Sequence, residues 1–371
     1  MIKLSDIVGQ DAAIGRLRRH LAGGRMPHAL LFAGPAGVGR ETTATALAAA
    51  MLCESPGGPA PPDACGQCRA CRLMAAGTHP DFHRVYKELA GYHEDTAVRG
   101  RKMQELGIPV IRSFLISPAH QAATRGRGKV FVVAEAELMS PAAQNALLKT
   151  LEEPPAGVTI ILITDRPELL LPTTRSRCAT VRFGPLPREF VLGKLREAGV
   201  EGERAQFLAR YAAGSVGEAL RLAEEGVFEW KRDMVSAVAE LGPGGDAELS
   251  RKLATEMDKR ADKAIRAERT ADAPEMAKTL AQRRVAGEML RLLAGAYRDA
   301  LSAATGADRE PVNADQDAAV RALAERFGPE RLADIIDQLS EYERLVWRNV
   351  NPKIVWDNVV ITCASGAPLG V

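Results

Sequence analysis

The sequence predicts an α/β domain with a doubly wound parallel sheet, followed by an all-α C-terminal part. Continuous apolar runs at His28–Gly34, Lys129–Glu135 and Val158–Thr164 are typical of central strands that are buried on both faces. A helical pattern separates the last two runs, which gives a strand–helix–strand unit. Strand signals end after Phe183–Phe190, and helical patterns continue to about Cys363.

The helix between the last two strands has clear boundary residues. Ser140 is a favourable N-cap, and Pro141 suits the first helical turn. Leu147 and Leu151 recur at helical spacing, and the pair Pro154–Pro155 ends the pattern. The sequence therefore predicts one amphipathic helix here.

The remaining elements are predicted from periodicity and composition. Small helices are expected near 188–198 and 203–213, a third follows Ser215, and longer helices fill the rest of the chain. The charged, aperiodic segment Lys87–Gln104 is predicted to be a mobile surface loop.

Composition excludes some classes of function. The chain has 371 residues, of which 46% are hydrophobic and 26% charged, within the ordinary soluble range. No apolar run approaches the roughly 18 residues that span a bilayer, and the first residues lack signal-peptide architecture. We therefore expect a cytoplasmic protein without a membrane partner. The net charge of +2 does not require nucleic acid, so any DNA contact must come from a local patch or an assembly.

Four cysteines form the strongest chemical signal. Cys53, Cys65, Cys68 and Cys71 are separated by eleven, two and two residues. Four thiolates complete a tetrahedral zinc shell, and the Pro- and Gly-rich loop before Cys65 has no core of its own. This pattern predicts a closed, structural zinc site.

Two other interpretations of the cysteines remain open. An iron–sulfur cluster also uses short gaps, although the terminal Cys-Pro of the ferredoxin pattern is missing. Free thiols on a helix are the second alternative. Cys178 and Cys363 stand alone and are predicted to be small buried residues.

A phosphate-binding loop is present in outline only. Gly34, Gly37 and Gly39 keep the glycine pattern, but Arg40 and Glu41 replace the Lys and Ser/Thr that contact phosphate and Mg²⁺. The planar guanidinium of arginine does not replace a compact ammonium without loss. The carboxylate of Glu41 would face the phosphates. Two like charges ~4 Å apart repel by about 4 kcal/mol at an effective dielectric of ~20.

Neighbouring positions show related losses. Thr42 and Thr43 lie one and two positions late for the metal. Ala134 replaces the Asp that holds Mg²⁺ at the end of the next strand, and only Glu135 remains. We expect no ATP hydrolysis, with the following degenerate loop residues empty or weakly occupied: Gly34, Gly37, Gly39, Arg40 and Thr42.

Several stretches together resemble a known family. They are HALLFAGPAGVGRETTATALA, the four cysteines, GTHPDF, NALLKTLEEPP and TRSRC, in this order. The chain is similar to subunits of the bacterial DNA polymerase III clamp loader, an AAA+ assembly. The match spans residues 1 to about 225, and NVNPKIVWDNVV near the end resembles the collar domain of that family.

Two branches of the family share these motifs. The gamma/tau motor subunits keep the ATP site, whereas delta-prime subunits usually have a decayed one. Arg40, Glu41 and Ala134 depart from the motor pattern. The lid stretch GSVGEAL also places Gly217 where motor subunits carry an arginine. These four departures favour similarity to the delta-prime branch.

The resemblance implies a domain order and a role. Residues 1–184 would form the AAA+ module with a zinc insert at about 53–71, residues 185–227 a three-helix lid, and residues 228–371 a helical collar. The role would be a rigid, non-hydrolysing stator in a hetero-oligomeric ring with gamma/tau and delta subunits. That ring loads the sliding clamp onto primer–template DNA.

The resemblance also assigns an arginine. In such rings a neighbouring subunit supplies an arginine to the γ-phosphate, which stabilises charge in phosphoryl transfer. Of Arg175 and Arg177 in TRSRC, Arg177 fills the family's Ser-Arg-Cys motif and would act on a neighbour's ATP. The alternative is a surface arginine paired with a carboxylate.

Two rival functions remain. One is an ATP-hydrolysing gamma/tau-type motor in which Arg40 and Glu135 suffice. The other is a zinc-containing DNA-binding module that uses the cations of Thr124–Lys129, although a solvated turn explains that segment as well. The histidines, including His28 and His79, form no catalytic or metal pattern and are predicted to be structural.

Overall fold

The computed structural model describes residues 1–56, 62–99, 105–242, 244–268, 278–348 and 350–365. The chain divides into two compact units. The first contains Met1–Val191 and Ala213–Glu218, and the second contains Leu192–Ala212 and Ala219–Val371. The functional division into module, lid and collar stays a prediction.

A parallel sheet lies at the centre of the first unit. Its strands are β1 (Ala29–Ala33), β2 (Phe82–Val85), β3 (Lys129–Val133), β4 (Val158–Thr164) and β5 (Ala179–Arg182). The described residues give five strands in the order β2-β3-β4-β1-β5, with every neighbouring pair parallel. β1, β3 and β4 are buried along their whole length, so the predicted α/β fold class is confirmed.

The two edge strands were not predicted from the sequence. β2 and β5 have only four residues each, and both are partly exposed. Arg84 in β2 and Arg182 in β5 face solvent. Such short, half-exposed strands lack the continuous apolar run that identifies a buried strand.

Helices surround the sheet in the first unit. They are α1 (Asp11–Ala22), α2 (Arg40–Leu52), α3 (Arg69–Ala75), α4 (Thr96–Arg99), α5 (Ile108–Ile111), α6 (Ser117–Ala119), α7 (Pro141–Glu152) and α8 (Pro172–Ser176). α7 begins as predicted, because the Ser140 side chain accepts the backbone N–H of Ala143 at 3.2 Å. The prediction of a loop at Lys87–Gln104 is wrong in part. This segment contains a 3-10 helix at Lys87–Tyr92 as well as α4, and residues 100–104 lie outside the described chain.

The regular secondary structure of the described residues of the second unit is helical. α9 (Arg188–Glu197) and α11 (Val216–Glu225) each contain a boundary between the units. The other helices are α10 (Gly202–Tyr211), α12 (Val227–Ala239), α13 (Ala247–Glu268), α14 (Lys278–Thr305), α15 (Asp317–Arg326), α16 (Pro329–Trp347) and α17 (Pro352–Ser365). The first three of these nine helices lie where the sequence predicts small helices.

A buried ion pair organises the second unit. Lys231 of α12 is fully buried and donates to Asp315 at 2.7 Å. Its ammonium also lies 4.3 Å from the ring centroid of Phe207 in α10 and 5.0 Å from that of Phe228. A buried charge is tolerated when it is paired in this way, and removal of one partner is strongly destabilising.

Candidate functional site

Both candidate sites lie at the ends of α2. The phosphate loop at residues 34–39 connects β1 to the first residue of this helix, Arg40. The C-cap of the same helix is Cys53, the first residue of the cysteine cluster. The buried middle of α2 packs within the first unit, so one rigid element positions both sites.

Packing requires two of the three loop glycines. Gly34 has φ 155°, and a Cβ there would lie 2.3 Å from the backbone oxygen of Phe183. Gly37 has φ 71°, and a Cβ there would lie 2.2 Å from Ser215 Oγ. These two glycines therefore have structural reasons to be present whether or not a phosphate binds.

The lid stretch packs directly on the phosphate loop. The Gly217 N–H donates to the carbonyl oxygen of Gly37 at 3.2 Å. A Cβ on Gly217 would lie 3.0 Å from the Gly37 Cα, a tight contact that requires a small shift of the loop. The position at which motor subunits carry an arginine thus contributes backbone contacts in this chain.

The first turn of α2 uses its side chains for internal contacts. Glu41 forms an ion pair with Arg84 of β2, whose guanidinium lies 5.8 Å from the ring centroid of Tyr86. The hydroxyl of Thr43 is buried and donates to the Gly39 carbonyl at 2.8 Å. Thr42 has the hydroxyl nearest in sequence to position 41, where the motif places its Mg²⁺ ligand, and its side chain is half-buried.

Arg40 lies among carboxylates. Burial lowers the pKa of its guanidinium, while the charges of Asp165, Glu137 and Glu41 oppose that shift. Its Nη1 is buried without a hydrogen-bond partner in the described part of the chain. Arginine stays charged despite such a shift because its pKa is so high. The cation in this loop is therefore surrounded by negative groups of its own chain.

The carboxyl end of β3 does not present the predicted acid to the loop. Glu135 has φ 50°, is exposed, and forms an ion pair with Lys87 at 3.4 Å. Glu137 was missed by the sequence reasoning. Burial raises its pKa, and interactions with the carboxylate of Asp165 raise it further against a hydrogen bond from Thr164. The sequence position of Glu137 could have indicated it, because Glu137 and Asp165 follow β3 and β4 at the edge where ligands of such sheets bind.

The cysteine cluster has the geometry of a mononuclear metal site. The sulfur atoms of Cys53, Cys65, Cys68 and Cys71 all lie within 4.8 Å of one another. The Cys53–Cys68 and Cys65–Cys71 sulfur pairs are both 3.9 Å apart. A zinc–sulfur distance of about 2.3 Å places tetrahedral ligands about 3.8 Å apart. The four thiols can hold one metal ion, and the geometry is compatible with zinc.

Backbone N–H groups already point at the sulfurs. Cys65 Sγ accepts from the N–H of Gln67 and Cys68 at 3.4 and 3.3 Å, and Cys68 Sγ accepts from Cys71 at 3.4 Å. Burial opposes ionisation of Cys68, but hydrogen bonds from the backbone of Cys71 and Glu54 and from neighbouring thiols lower its pKa to about 6. Burial raises the pKa of Cys71, so the metal-free cluster does not ionise uniformly. A bound cation would favour the thiolate in every ligand.

Ion pairs connect the cysteine module to the turn at Thr124–Lys129. Arg125 pairs with the Glu54 carboxylate, and Arg127 donates to the Glu54 carbonyl at 3.1 Å. Buried Asp81 accepts the backbone N–H groups of Thr124 and Arg125. Arg125 and Arg127, two of the cations that support the rival DNA-binding interpretation, therefore have partners within the protein itself.

Arg177 is anchored by its own chain. It follows the last residue of α8, and its Nε donates to Glu152 Oε1 at 2.5 Å. Its Nη2 pairs with the same carboxylate, and its Nη1 donates to the Thr173 carbonyl at 2.9 Å. Arg175 is exposed and has no side-chain partner among the described residues.

Two family models match the chain. The model described as DNA polymerase III, delta subunit, covers residues 9–187. The model described as DNA polymerase III, delta subunit, C terminal, covers residues 261–363. The chain belongs to the DNA polymerase III delta-subunit family. The two matches cover about three quarters of this family member.

Curated relatives of this delta-family chain come from both branches. It is 37% identical to the DNA polymerase III subunit delta' of Escherichia coli (strain K12) over 60% of the chain and 62% of that protein. It is also 37% identical to subunit delta' of Pseudomonas aeruginosa over 59% of the chain and 63% of that protein. Subunit tau of Salmonella typhimurium is 34% identical over 60% of the chain and 33% of tau. The matches thus span less than two thirds of these relatives.

Among the helices of the described residues, none is long and apolar enough to cross a bilayer.

Proposed function

We propose that this chain is a non-hydrolysing, delta-prime-type stator of a DNA polymerase III clamp loader. In this proposal it joins gamma/tau and delta subunits in a ring that loads the sliding clamp onto primed DNA. Membership of the delta-subunit family and the delta' relatives at 37% identity support this role.

One observation carries the non-hydrolysing part of the proposal. The turn that should bind phosphate and Mg²⁺ is committed to internal contacts, because Glu41 pairs with Arg84 and Gly217 packs on Gly37. Ala134 removes the metal ligand at the end of β3. A triphosphate would bring negative charge to Arg40, which already interacts with the carboxylates of Asp165, Glu137 and Glu41.

Packing within the second unit supports a rigid stator. Tyr211 of α10 donates to Glu288 of α14 at 2.7 Å, and Glu288 also pairs with Arg221 and Arg291. This network joins α10 and α11 of the predicted lid to α14 of the predicted collar. A buried carboxylate that is fully paired in this way restricts relative motion of the elements that it connects.

For the metal site we propose a structural zinc ion. The candidate ligands are Cys53, Cys65, Cys68 and Cys71, which would leave no open coordination position. Bound zinc would hold the loop that follows α2 and would take no part in phosphoryl transfer. The near-tetrahedral sulfur spacing supports this choice over a cluster whose thiolates bind different irons.

The catalytic contribution that we propose is Arg177, acting on the ATP of a neighbouring motor subunit. The test is a loader reconstituted with wild-type, Arg177→Ala or Arg175→Ala chains, in which DNA-stimulated ATP hydrolysis and clamp loading are measured. We expect Arg177→Ala to lower turnover at the adjacent site by about 10³-fold while the ring still assembles. Arg177→Lys should restore little, because a point charge does not match the planar fork.

Arg175→Ala is the matched control for this experiment. It removes the same charge from the same segment, but Arg175 has no side-chain contact among the described residues, so we expect nearly wild-type rates. If Arg177→Ala and Arg175→Ala complexes both retain full turnover, Arg177 does not act on the neighbour's ATP. If both are equally slow, the effect comes from general charge and the specific assignment fails.

A gamma/tau-type motor is the second candidate. The kept glycine loop and the tau relative at 34% identity favour it. ATP hydrolysis by the purified chain alone separates the two candidates, since only a motor would turn over ATP without a partner.

A further inference from the structure

The Arg177 contacts raise the question of what Glu152 does. Glu152 is the last residue of α7, and a carboxylate at a helix C-terminus is disfavoured by the helix dipole. Its position therefore does not stabilise its own helix. The carboxylate instead meets a guanidinium 25 residues further along the chain.

Three of the five N–H groups of Arg177 are engaged. Glu152 Oε1 accepts from Nε and pairs with Nη2, while the Thr173 carbonyl accepts from Nη1. A guanidinium carries one further N–H on each terminal nitrogen. The two remaining donors lie on the end of the side chain, which is about one-third exposed (32%). Such a pair of donors matches two oxygens of a phosphate group.

We propose that Glu152 is a positioning residue that orients the Arg177 guanidinium toward a phosphate of the neighbouring subunit. This assignment rests on the proposed function, in which Arg177 acts in trans. The Glu152 carboxylate accepts hydrogen bonds on one side of the Arg177 guanidinium, and the Thr173 carbonyl accepts one on the other side. The plane of the guanidinium is therefore fixed before the subunits meet. Less rotamer freedom is then lost on docking.

The pair also predicts which kinetic constant changes. Glu152 neutralises the charge of Arg177 locally, so it adds nothing to long-range attraction of ATP. Its contribution is orientation, which matters when charge develops in the transition state. Loss of Glu152 should therefore lower kcat of the neighbouring site and leave the KM for ATP unchanged.

The experiment uses the reconstituted loader with Glu152→Ala, Glu152→Gln and the matched control Glu153→Ala. Glu153 is exposed, directly adjacent, and forms no side-chain ion pair within the described chain. We expect Glu152→Ala to lower kcat about three- to ten-fold, an effect of the size that a misplaced catalytic group produces. Glu152→Gln, which keeps an acceptor oxygen, should fall between Glu152→Ala and wild type, and Glu153→Ala should match wild type.

A double-variant cycle separates positioning from a structural role. In an Arg177→Ala background, Glu152→Ala should have no further effect, because the residue through which it acts is absent. If it lowers kcat by the same factor in both backgrounds, Glu152 acts independently of Arg177 and the assignment is overturned. Unchanged thermal unfolding of each variant chain would confirm that the comparison concerns orientation alone.

The remaining outcomes are also decisive. A slow Arg177→Ala complex beside a fully active Glu152→Ala complex overturns the assignment and leaves the proposed function intact. A Glu152→Ala complex faster than wild type means that the pair holds the arginine back, which also overturns it. A fully active Arg177→Ala complex overturns the proposed function together with this assignment.

Discussion

The two ends of α2 differ in how completely each provides the side chains that its candidate ligand requires. At its C-terminal end, all four cysteines converge around one point, with sulfurs within 4.8 Å and backbone N–H groups aimed at them. At its N-terminal end, the glycine backbone is kept, but Arg40 and Glu41 contact groups of their own chain. One end of the helix gathers four candidate metal ligands, and the other keeps the glycines of a phosphate loop without the Lys and Ser/Thr of the motif.

A loop can keep its shape for reasons unrelated to its ligand. Gly34 and Gly37 are required by close contacts with Phe183 and Ser215, and these contacts do not involve phosphate. The cysteine module differs, because its four sulfur atoms converge on one another, while Glu54 and Asp63 connect its described residues to the rest of the chain.

The largest expected effect is at the C-terminal end. We expect Cys68→Ser to abolish metal binding, which elemental analysis of the purified chain should report as one zinc per chain in wild type and none in the variant. Loss of the ion should also expose residues 53–71 to proteases while the sheet remains folded. Cys178→Ala is the control, since that cysteine lies outside the cluster and should leave the zinc content unchanged. Zinc retained by Cys68→Ser would contradict the four-ligand site.

The next effect tests why the phosphate-loop glycines remain. Gly34→Ala places a Cβ 2.3 Å from a backbone oxygen, so we expect a loss of about 3 kcal/mol or more in the free energy of unfolding. Gly39→Ala is the matched control, because its φ of 93° is unfavourable but nothing lies within 4 Å of the added atom. It should cost only about 1–2 kcal/mol. Equal losses in denaturant titrations would show that backbone conformation, and not packing, keeps these glycines.

A smaller effect is expected from partial restoration of the loop. Arg40→Lys combined with Glu41→Thr removes a repulsive carboxylate and leaves Arg84 free to attract phosphate. We expect ATP binding to strengthen at least about ten-fold in a titration with Mg²⁺, in line with the loss of a like-charge contact. Turnover should stay absent, because Ala134 and Gly217 are unchanged. Turnover in this double variant would mean that the missing acid and arginine are dispensable.

The smallest effect concerns β2, which contacts the N-terminal end of α2 through Arg84. Burial, followed by the charge of Lys129, lowers the pKa of His83, so folding disfavours the protonated ring. The unfolded chain takes up the proton near pH 6.5. The contribution of neutral His83 to the free energy of unfolding is therefore complete above that pH and is lost as the pH falls through the pKa of the folded state.

We expect wild type to lose up to about 1 kcal/mol more than His83→Phe between pH 7 and pH 5.5, measured by chemical denaturation with zinc retained. Phenylalanine keeps the ring that stacks on Phe131 at 4.7 Å but cannot titrate. His120→Gln is the control at an exposed position and should behave like wild type. Identical pH dependence of wild type and His83→Phe would exclude His83 as the source.

Sequence patterns predicted the parts of the molecule that depend on local order. Three buried strands, the Ser140 cap and the convergence of four cysteines at short spacing are all features that periodicity or spacing encodes. The edge strands β2 and β5 were missed because half-exposed strands of four residues give no apolar run.

Contacts between distant residues were the part that could not be predicted. Glu41 finds Arg84 across 43 residues, and Arg177 finds Glu152 across 25. Glu137 was not predicted because its raised pKa depends on burial and on Asp165, a residue 28 positions away that follows β4. In each case the fold determines the partner, because it brings together residues of different helices, strands or loops that are separate in the chain.

The proposed non-hydrolysing role is tested most directly by an ATP hydrolysis assay of the purified chain alone. We expect no phosphate release above background with Mg²⁺ and DNA present, because the N-terminal end of α2 lacks the Lys and Ser/Thr that contact phosphate and Mg²⁺. Steady turnover at rates typical of motor ATPases, abolished by Glu135→Gln, would contradict it and would identify the chain as a motor.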